Sequence, residues 1–132
     1  MSDVSGIHHV TAYAHDPQEN IDFYTGVLGL RLVKQTVLFN NPSQVFKGPT
    51  MYHFYYADGT GTPGSVITFK PHHSIQKGQV GRGQATATAF TIPEGSVDYW
   101  VHRLDETDEV TLHPVTERFG RTVIQFQDHD GQ

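Results

Sequence analysis

A chain of 132 residues with nine Lys and Arg against fourteen Asp and Glu carries a net charge of −5, and without any Lys/Arg-rich stretch it is no partner for nucleic acid. The absence of cysteine removes disulfides and thiolate metal sites, and no apolar run approaches the ~20 residues that span a bilayer. Hydrophobic residues at 36%, a mean hydropathy of −0.43, and 8 Phe, 6 Tyr and 1 Trp describe a soluble globular chain, of one domain's length, with aromatics in its core.

Residues 1–5 lack the basic and apolar segments of an export signal, so a cytoplasmic protein is expected. Residues 7–14 alternate, placing Val10, Ala12 and Ala14 on one face and His9, Thr11 and Tyr13 on the other, the pattern of a strand with one apolar and one chemically equipped face. Asp16, Pro17 and Glu19 supply an N-cap, a first-turn proline and a capping-box acid, predicting a short amphipathic helix that carries Ile21, Tyr24, Val27 and Leu28 and stops at Gly29.

Strands are predicted over 30–39, before the turn cluster 40–43, and over the aromatic-dense 50–57. The Gly- and Pro-rich loop 58–64 separates these from a fourth strand over 65–70. Residues 71–83 have a linker's composition, and then the order of elements begins again. A strand is expected at 85–91, a helix opening at Pro93 and Glu94 with Val97, Trp100, Val101 and Leu104, and strands at 109–116 and 119–127.

Aligning Ile21–Tyr24 with Val97–Trp100 also sets Asp16 and Pro17 over Ile92 and Pro93 at the same offset of 76 residues, which indicates an internal repeat. The expected architecture is α+β: one domain, 1–132, of two βαβββ modules that pair into a curved, open mixed β-barrel, since each module alone leaves sheet edges and one face uncovered. The first module spans 6–73 and the linker 74–83. The second module, 84–132, reaches Asp128–Gln132 where its last strand should begin. Either the chain is a fragment, or another chain supplies that strand.

Gly6-Ile7-His8-His9-Val10-Thr11, then Asp16-Pro17, Phe23-Tyr24 and Val27-Leu28-Gly29-Leu30, resemble the opening of the vicinal oxygen chelate superfamily, which includes glyoxalase I, fosfomycin and bleomycin resistance proteins and extradiol dioxygenases. Residues 28–37, 52–58 and 61–65 resemble its two-domain, four-module branch, which holds hydroquinone-type ring-cleaving dioxygenases more than twice this length. The turn at 128–131 resembles the one that precedes a family module's last strand.

The resemblance implies that His9 is a metal ligand and that the carboxylate of a module's last strand is replaced by Thr68. Its counterpart of His9 in the second module is Ala85. One ligand of three is then present, and an Fe(II) site of two His and one carboxylate needs the others from elsewhere. Thr11 and Tyr13 share the face of His9 and are the candidates for binding a small aromatic substrate; lining a wet barrel is their plainer role. His8 is expected on the opposite face, Tyr52, Phe54 and Tyr56 in the core, and His53, His72, His73, His102 and His129 without a role, the last four in solvent.

What the resemblance implies is the N-terminal domain of an Fe(II)-dependent extradiol dioxygenase for hydroquinone- or catechol-like aromatics, incomplete by itself and completed by a C-terminal domain or a homodimer partner. Two alternatives stand beside it. One is a glyoxalase-like isomerase or thiol transferase using Zn, Ni or Mn. The other is a bleomycin-resistance-type binding module that holds no metal in the isolated chain.

Overall fold

A computed structural model describes residues 3–38, 51–72, 78, 81–108 and 110–132, and the chain divides into two compact units, 1–78 and 79–132. The expected turn at 40–43 and most of the expected linker lie outside the described residues. Among the described residues no helix is long and apolar enough to cross a membrane.

The first unit is a four-stranded sheet with one helix. Its strands are β1 (His9–Ala14), β2 (Arg31–Leu38), β3 (Met51–Ala57) and β4 (Val66–Pro71), in the order β1-β4-β3-β2. β1 runs parallel to β4 and the other pairs are antiparallel. Period-2 alternation gives the sheet two unlike faces. Phe54, Tyr56, Ile67, Phe69 and Ala14 are buried on one of them, with Phe23 and Tyr24 of the helical segment. The Tyr24 ring lies 4.4 Å from that of Phe69 and 5.3 Å from that of Tyr56, contacts worth about 0.5–1.5 kcal/mol each beyond area burial. Tyr52, expected in this core, stacks on Phe54 at 5.6 Å but stays 40% exposed near the end of its strand.

Helix α1 (Pro17–Ile21) opens as the sequence predicts, with Asp16 Oδ1 accepting from the backbone N–H of Gln18 at 2.7 Å and of Glu19 at 3.0 Å. Its continuation departs from expectation, because Asp22–Val27 winds as a π-helix. The Thr25 hydroxyl donates to the Ile21 carbonyl at 2.7 Å, the carbonyl an α-helix would offer to the Thr25 N–H, and Leu28 N–H reaches back to the Phe23 carbonyl instead. Gly29, at φ 69°, ends the segment in the left-handed conformation expected of it.

In β2 the pairing steps from Leu32↔Tyr56 to Lys34↔Tyr55, so Val33 is an extra, bulged residue. The bulge turns Lys34 and Thr36 onto the same face as Tyr55 and His53. A regular strand would have pointed Lys34 into the aromatic core.

The second unit follows the predicted order loosely. Residues 85–91, expected as a strand, are exposed and form no ladder. In the first unit the corresponding strand, β1, has β4 as its one sheet neighbour, and the described residues of the second unit contain no counterpart of β4. Helix α2 (Val97–Asp105) starts four residues later than Pro93, because Gly95 takes φ 78° and Ser96 Oγ donates to the Pro93 carbonyl, closing a turn ahead of the helix. The two expected long strands are broken into β5 (Thr111–Leu112), β6 (Thr116–Arg118), β7 (Arg121–Val123) and β8 (Phe126–Gln127). Pro114, with no N–H to donate, sits in the gap between β5 and β6. Phe119 and Gly120, at φ 52° and 69°, turn β6 into β7.

His129, expected in solvent, has its side chain only 9% exposed, with Nε2 3.5 Å from the Asp130 carboxylate. It is held inside the closing turn, where Asp128 Oδ1 accepts from the N–H groups of Asp130 and Gln132 at 3.0 and 2.9 Å. Asp58 makes the same pattern just ahead of β4, accepting from Thr60 N–H and Thr62 N–H at 3.0 Å each.

Tyr56 is fully buried and donates to Asn20 Oδ1, also fully buried, at 2.9 Å. Burial first, and the charge of Asp22 second, hold this phenol above its ordinary pKa. Tyr56→Phe removes the donor and leaves the amide oxygen desolvated, so urea unfolding should show a loss of about 1–3 kcal/mol. A change within about 0.5 kcal/mol would mean that the bond adds nothing to stability.

Candidate functional site

The face of the sheet opposite the aromatic core gathers the chemistry. Alternation sets His9, Thr11 and Tyr13 of β1 on it, and parallel register sets them beside Val66, Thr68 and Lys70 of β4. Antiparallel register adds Tyr55 beside Thr68, and the bulge in β2 brings Lys34 and Thr36 beside Tyr55 and His53. Two lysines and two histidines therefore share this face, and none of these register positions carries a carboxylate, although the whole chain is net acidic. Such a surface favours an anionic ligand.

His9 is exposed at the start of β1. Its Nδ1 lies 3.0 Å from Nδ1 of His8, with the two rings edge to face at 5.2 Å. His8 was expected on the far face, but it precedes the first strand residue, so strand alternation does not govern it and its ring turns back to His9. The His8 carbonyl is anchored by the Gly64 N–H at 3.0 Å. The 58–65 loop that presents Gly64 is knotted around Asp58, whose acceptance from Thr62 and Thr60 holds its carboxyl below the ordinary range. With His9 Nδ1 engaged by His8, Nε2 is the ring nitrogen placed to ligate a metal.

Thr11 lies at the centre of the face, and its Oγ1 accepts from Thr68 Oγ1 at 2.8 Å. Thr68 stands where the resemblance implied a missing carboxylate. It is fully buried, and its hydroxyl also meets His53 Nε2 at 3.0 Å. Tyr13 occupies the other end of β1, 64% exposed and beside Lys70 in register. The structure thus brings His9, Thr11 and Tyr13 onto one face, and draws Thr11 alone of them into a hydrogen-bonded group with β3 and β4.

His53 and Tyr55 are the residues that sequence reasoning missed. The aromatic run of β3 drew attention to Tyr52, Phe54 and Tyr56, yet the same alternation puts His53 and Tyr55 on the opposite, equipped face. Tyr55 Oη lies 3.0 Å from His53 Nδ1, the Lys34 ammonium lies 5.2 Å from the Tyr55 ring centre, and the His9 ring is 6.5 Å from that ring. Burial first, then the charges of Lys70, His9 and Lys34, push the His53 pKa down.

Among the described residues, no three His, Asp or Glu side chains converge as a metal centre requires. His9 fits as one donor of such a set.

Three comparisons bear on this geometry. Residues 6–132 match the family described as Glyoxalase/Bleomycin resistance protein/Dioxygenase superfamily. The chain is 43% identical to the Bacillus subtilis protein named "Putative ring-cleaving dioxygenase MhqO" over 126 residues, 96% of this chain and 38% of that protein. It is 32% identical to the chlorohydroquinone/hydroquinone 1,2-dioxygenase of Sphingobium indicum over 128 residues, again 96% of this chain and 38% of the other. In three dimensions it matches the crystal structure of a dioxygenase, titled putative, from Bacillus subtilis with a TM-score of 0.78 at 44% identity, covering 93% of this chain and 37% of that one. The chain therefore has the glyoxalase/bleomycin resistance fold, and it spans well under half the length of these relatives.

The lowered pKa of His53 has a definite sign in stability. Above the ordinary value of 6.5 the imidazole is neutral folded or unfolded; as pH falls below 6.5 the unfolded chain takes up the proton first, so His53 costs stability down to its folded pKa and nothing further beyond it. NMR titration should give His53 a midpoint below 6.5, and His53→Gln should lose this part of the pH dependence of the urea midpoint. A midpoint at or above 6.5 would contradict the assignment.

Proposed function

Because the chain belongs to the Glyoxalase/Bleomycin resistance protein/Dioxygenase superfamily, we propose that it forms part of an Fe(II)-dependent extradiol dioxygenase, supplying His9 to the metal and Thr11 and Tyr13 to a hydroquinone- or catechol-like substrate. The observation that carries the reading is the composition of the face that β1 shares with its sheet: an exposed His9 oriented by His8, the hydroxyls of Thr11 and Tyr13 on the same strand, two lysines on the same face and no carboxylate in register. The names of the two curated relatives, over 96% of this chain, support the same reaction class.

When bound, Fe(II) would offer neighbouring positions to the diol and to O₂. This chain's own residues have separate work. Lys34 and Lys70 lower the cost of bringing a phenolate to the face, because an anion close to fixed positive charge is stabilised. The hydroxyls of Thr11 and Tyr13 give hydrogen bonds to ring oxygens and so set the orientation of the ring. His8 holds the His9 imidazole in one direction.

The remaining histidine and carboxylate are proposed to come from polypeptide outside this chain, either a further domain of the kind the longer relatives have room for or a second copy in a homodimer. Two βαβββ modules are proposed for the chain itself, since the Asp58 turn ahead of β4 recurs at Asp128.

The test is anaerobic Fe(II) loading of the polypeptide its gene encodes, desalting, iron analysis and O₂ uptake with hydroquinone. Near-stoichiometric iron and hydroquinone-dependent O₂ uptake are expected, both lost in His9→Ala, since removing one of three protein ligands costs at least the 10- to 100-fold in affinity typical of an outer-shell partner. Iron retention unchanged in His9→Ala would remove His9 from the metal site. Iron bound without hydroquinone-dependent O₂ uptake would overturn the ring-cleaving reading.

A further inference from the structure

Hydrogen bonds cross the site face in file from β3 through β4 to β1. Tyr55 Oη lies 3.0 Å from His53 Nδ1, His53 Nε2 lies 3.0 Å from Thr68 Oγ1, and Thr68 Oγ1 donates to Thr11 Oγ1 at 2.8 Å. Each of the three bonds joins residues the register places on one face, and Thr68, the middle member, is fully buried.

Counting protons gives the file a direction. A threonine hydroxyl has one proton to donate. Thr68 gives its proton to Thr11, so toward His53 it can only accept, and His53 Nε2 must carry hydrogen. A neutral imidazole protonated at Nε2 has an accepting Nδ1, and the Tyr55 phenol is then the donor at the other end. The doubly protonated ring, which would reverse the last bond, is disfavoured by burial and by the nearby charges of Lys70, His9 and Lys34. The sense throughout is Tyr55 to His53 to Thr68 to Thr11. Thr11 accepts within the file, so its own proton is turned out of it, from an exposed position two residues along the strand from His9.

We propose that His53 and Thr68 are positioning residues that lock the Thr11 hydroxyl as a donor, so that this face receives an oxygen of the aromatic substrate as phenolate or as a hydroxyl offering its lone pairs. The role rests on the reading of the face as an aromatic diol site and adds to it the polarity of one contact. A threonine without this file can rotate to donate or accept. With it, the hydroxyl is committed before the substrate arrives. A ring oxygen satisfies that donor, whereas an ammonium group at the same place brings only donors of its own.

The first readout needs no turnover. Long-range ¹⁵N NMR of the imidazoles should find His53 neutral and protonated at Nε2 at neutral pH. Thr68→Val, close to isosteric, should shift His53 toward a mixture of tautomers, and Thr68→Ser should restore the wild-type form. A ring protonated at Nδ1, or a Thr68→Val spectrum matching the wild type, overturns the file.

The second readout is kinetic, on the Fe(II)-loaded polypeptide its gene encodes. Thr68→Val should lower kcat/KM for hydroquinone on the order of tenfold, and Thr68→Ser should return it to within about twofold of wild type. An altered tautomer with unchanged kcat/KM overturns the positioning role. Wild-type protein that leaves hydroquinone untouched overturns the reading on which the role of Thr11 rests, while the tautomer measurement still decides the file.

Discussion

The parallel pairing of β1 with β4 sets Thr11 against Thr68 and His9 against Val66, and the antiparallel pairing of β4 with β3 carries the same register on to Tyr55. Side chains alternate with a period of two, so a slip of one residue in either ladder would send the hydroxyls into the aromatic layer and the aromatics into water. The aromatic face resists such a slip. Phe54, Phe69 and Tyr56 have no alternative burial, and the buried Tyr56 to Asn20 bond ties the sheet to helix α1. Packing on one side of the sheet thus determines which polar groups meet on the other.

Polar residues on that second face do not behave as a scatter of surface groups. The buried Thr68 would be costly without partners, and it has them on both sides. Lys34 reaches the face only through the bulge at Val33, which shows how one irregular residue in an edge strand can change the charge of a surface. The outcome is a positively charged patch on an acidic chain, with a histidine at one end oriented by its neighbour in sequence.

The second unit, a helix followed by short strands, has weaker local structure than the first. Where the first unit has β1 laid against β4, residues 85–91 form no ladder among the described residues, and the following strands are interrupted near Pro114. A strand depends on its neighbour for half of its backbone hydrogen bonding, so the sequence of that stretch could be read as β while the described residues of its own unit offer nothing to pair with. The Asp128 turn, in contrast, needs only its own loop, and its carboxylate accepts from the backbone N–H groups two and four residues on, as that of Asp58 does.

Local chemistry therefore explains what could be read before any coordinates. The Asp16 cap, the left-handed Gly29, the two faces of β1 and the membership of His9, Thr11 and Tyr13 in one row follow from steric and hydrogen-bonding rules that act within a few residues. The family resemblance rested on the same short motifs. Other features were decided by contacts between residues far apart in the chain: the extra residue at Val33 in the β2–β3 ladder and the anchoring of the His8 carbonyl by the Gly64 N–H. The meeting of His53 and Tyr55 with Thr68 and Thr11 belongs with them, since β-register joins positions up to 57 residues apart. No periodicity within one segment encodes which residue will stand opposite in the next strand, and so the row of candidate side chains was written in the sequence while the hydrogen-bonded file across them existed only once the sheet had formed.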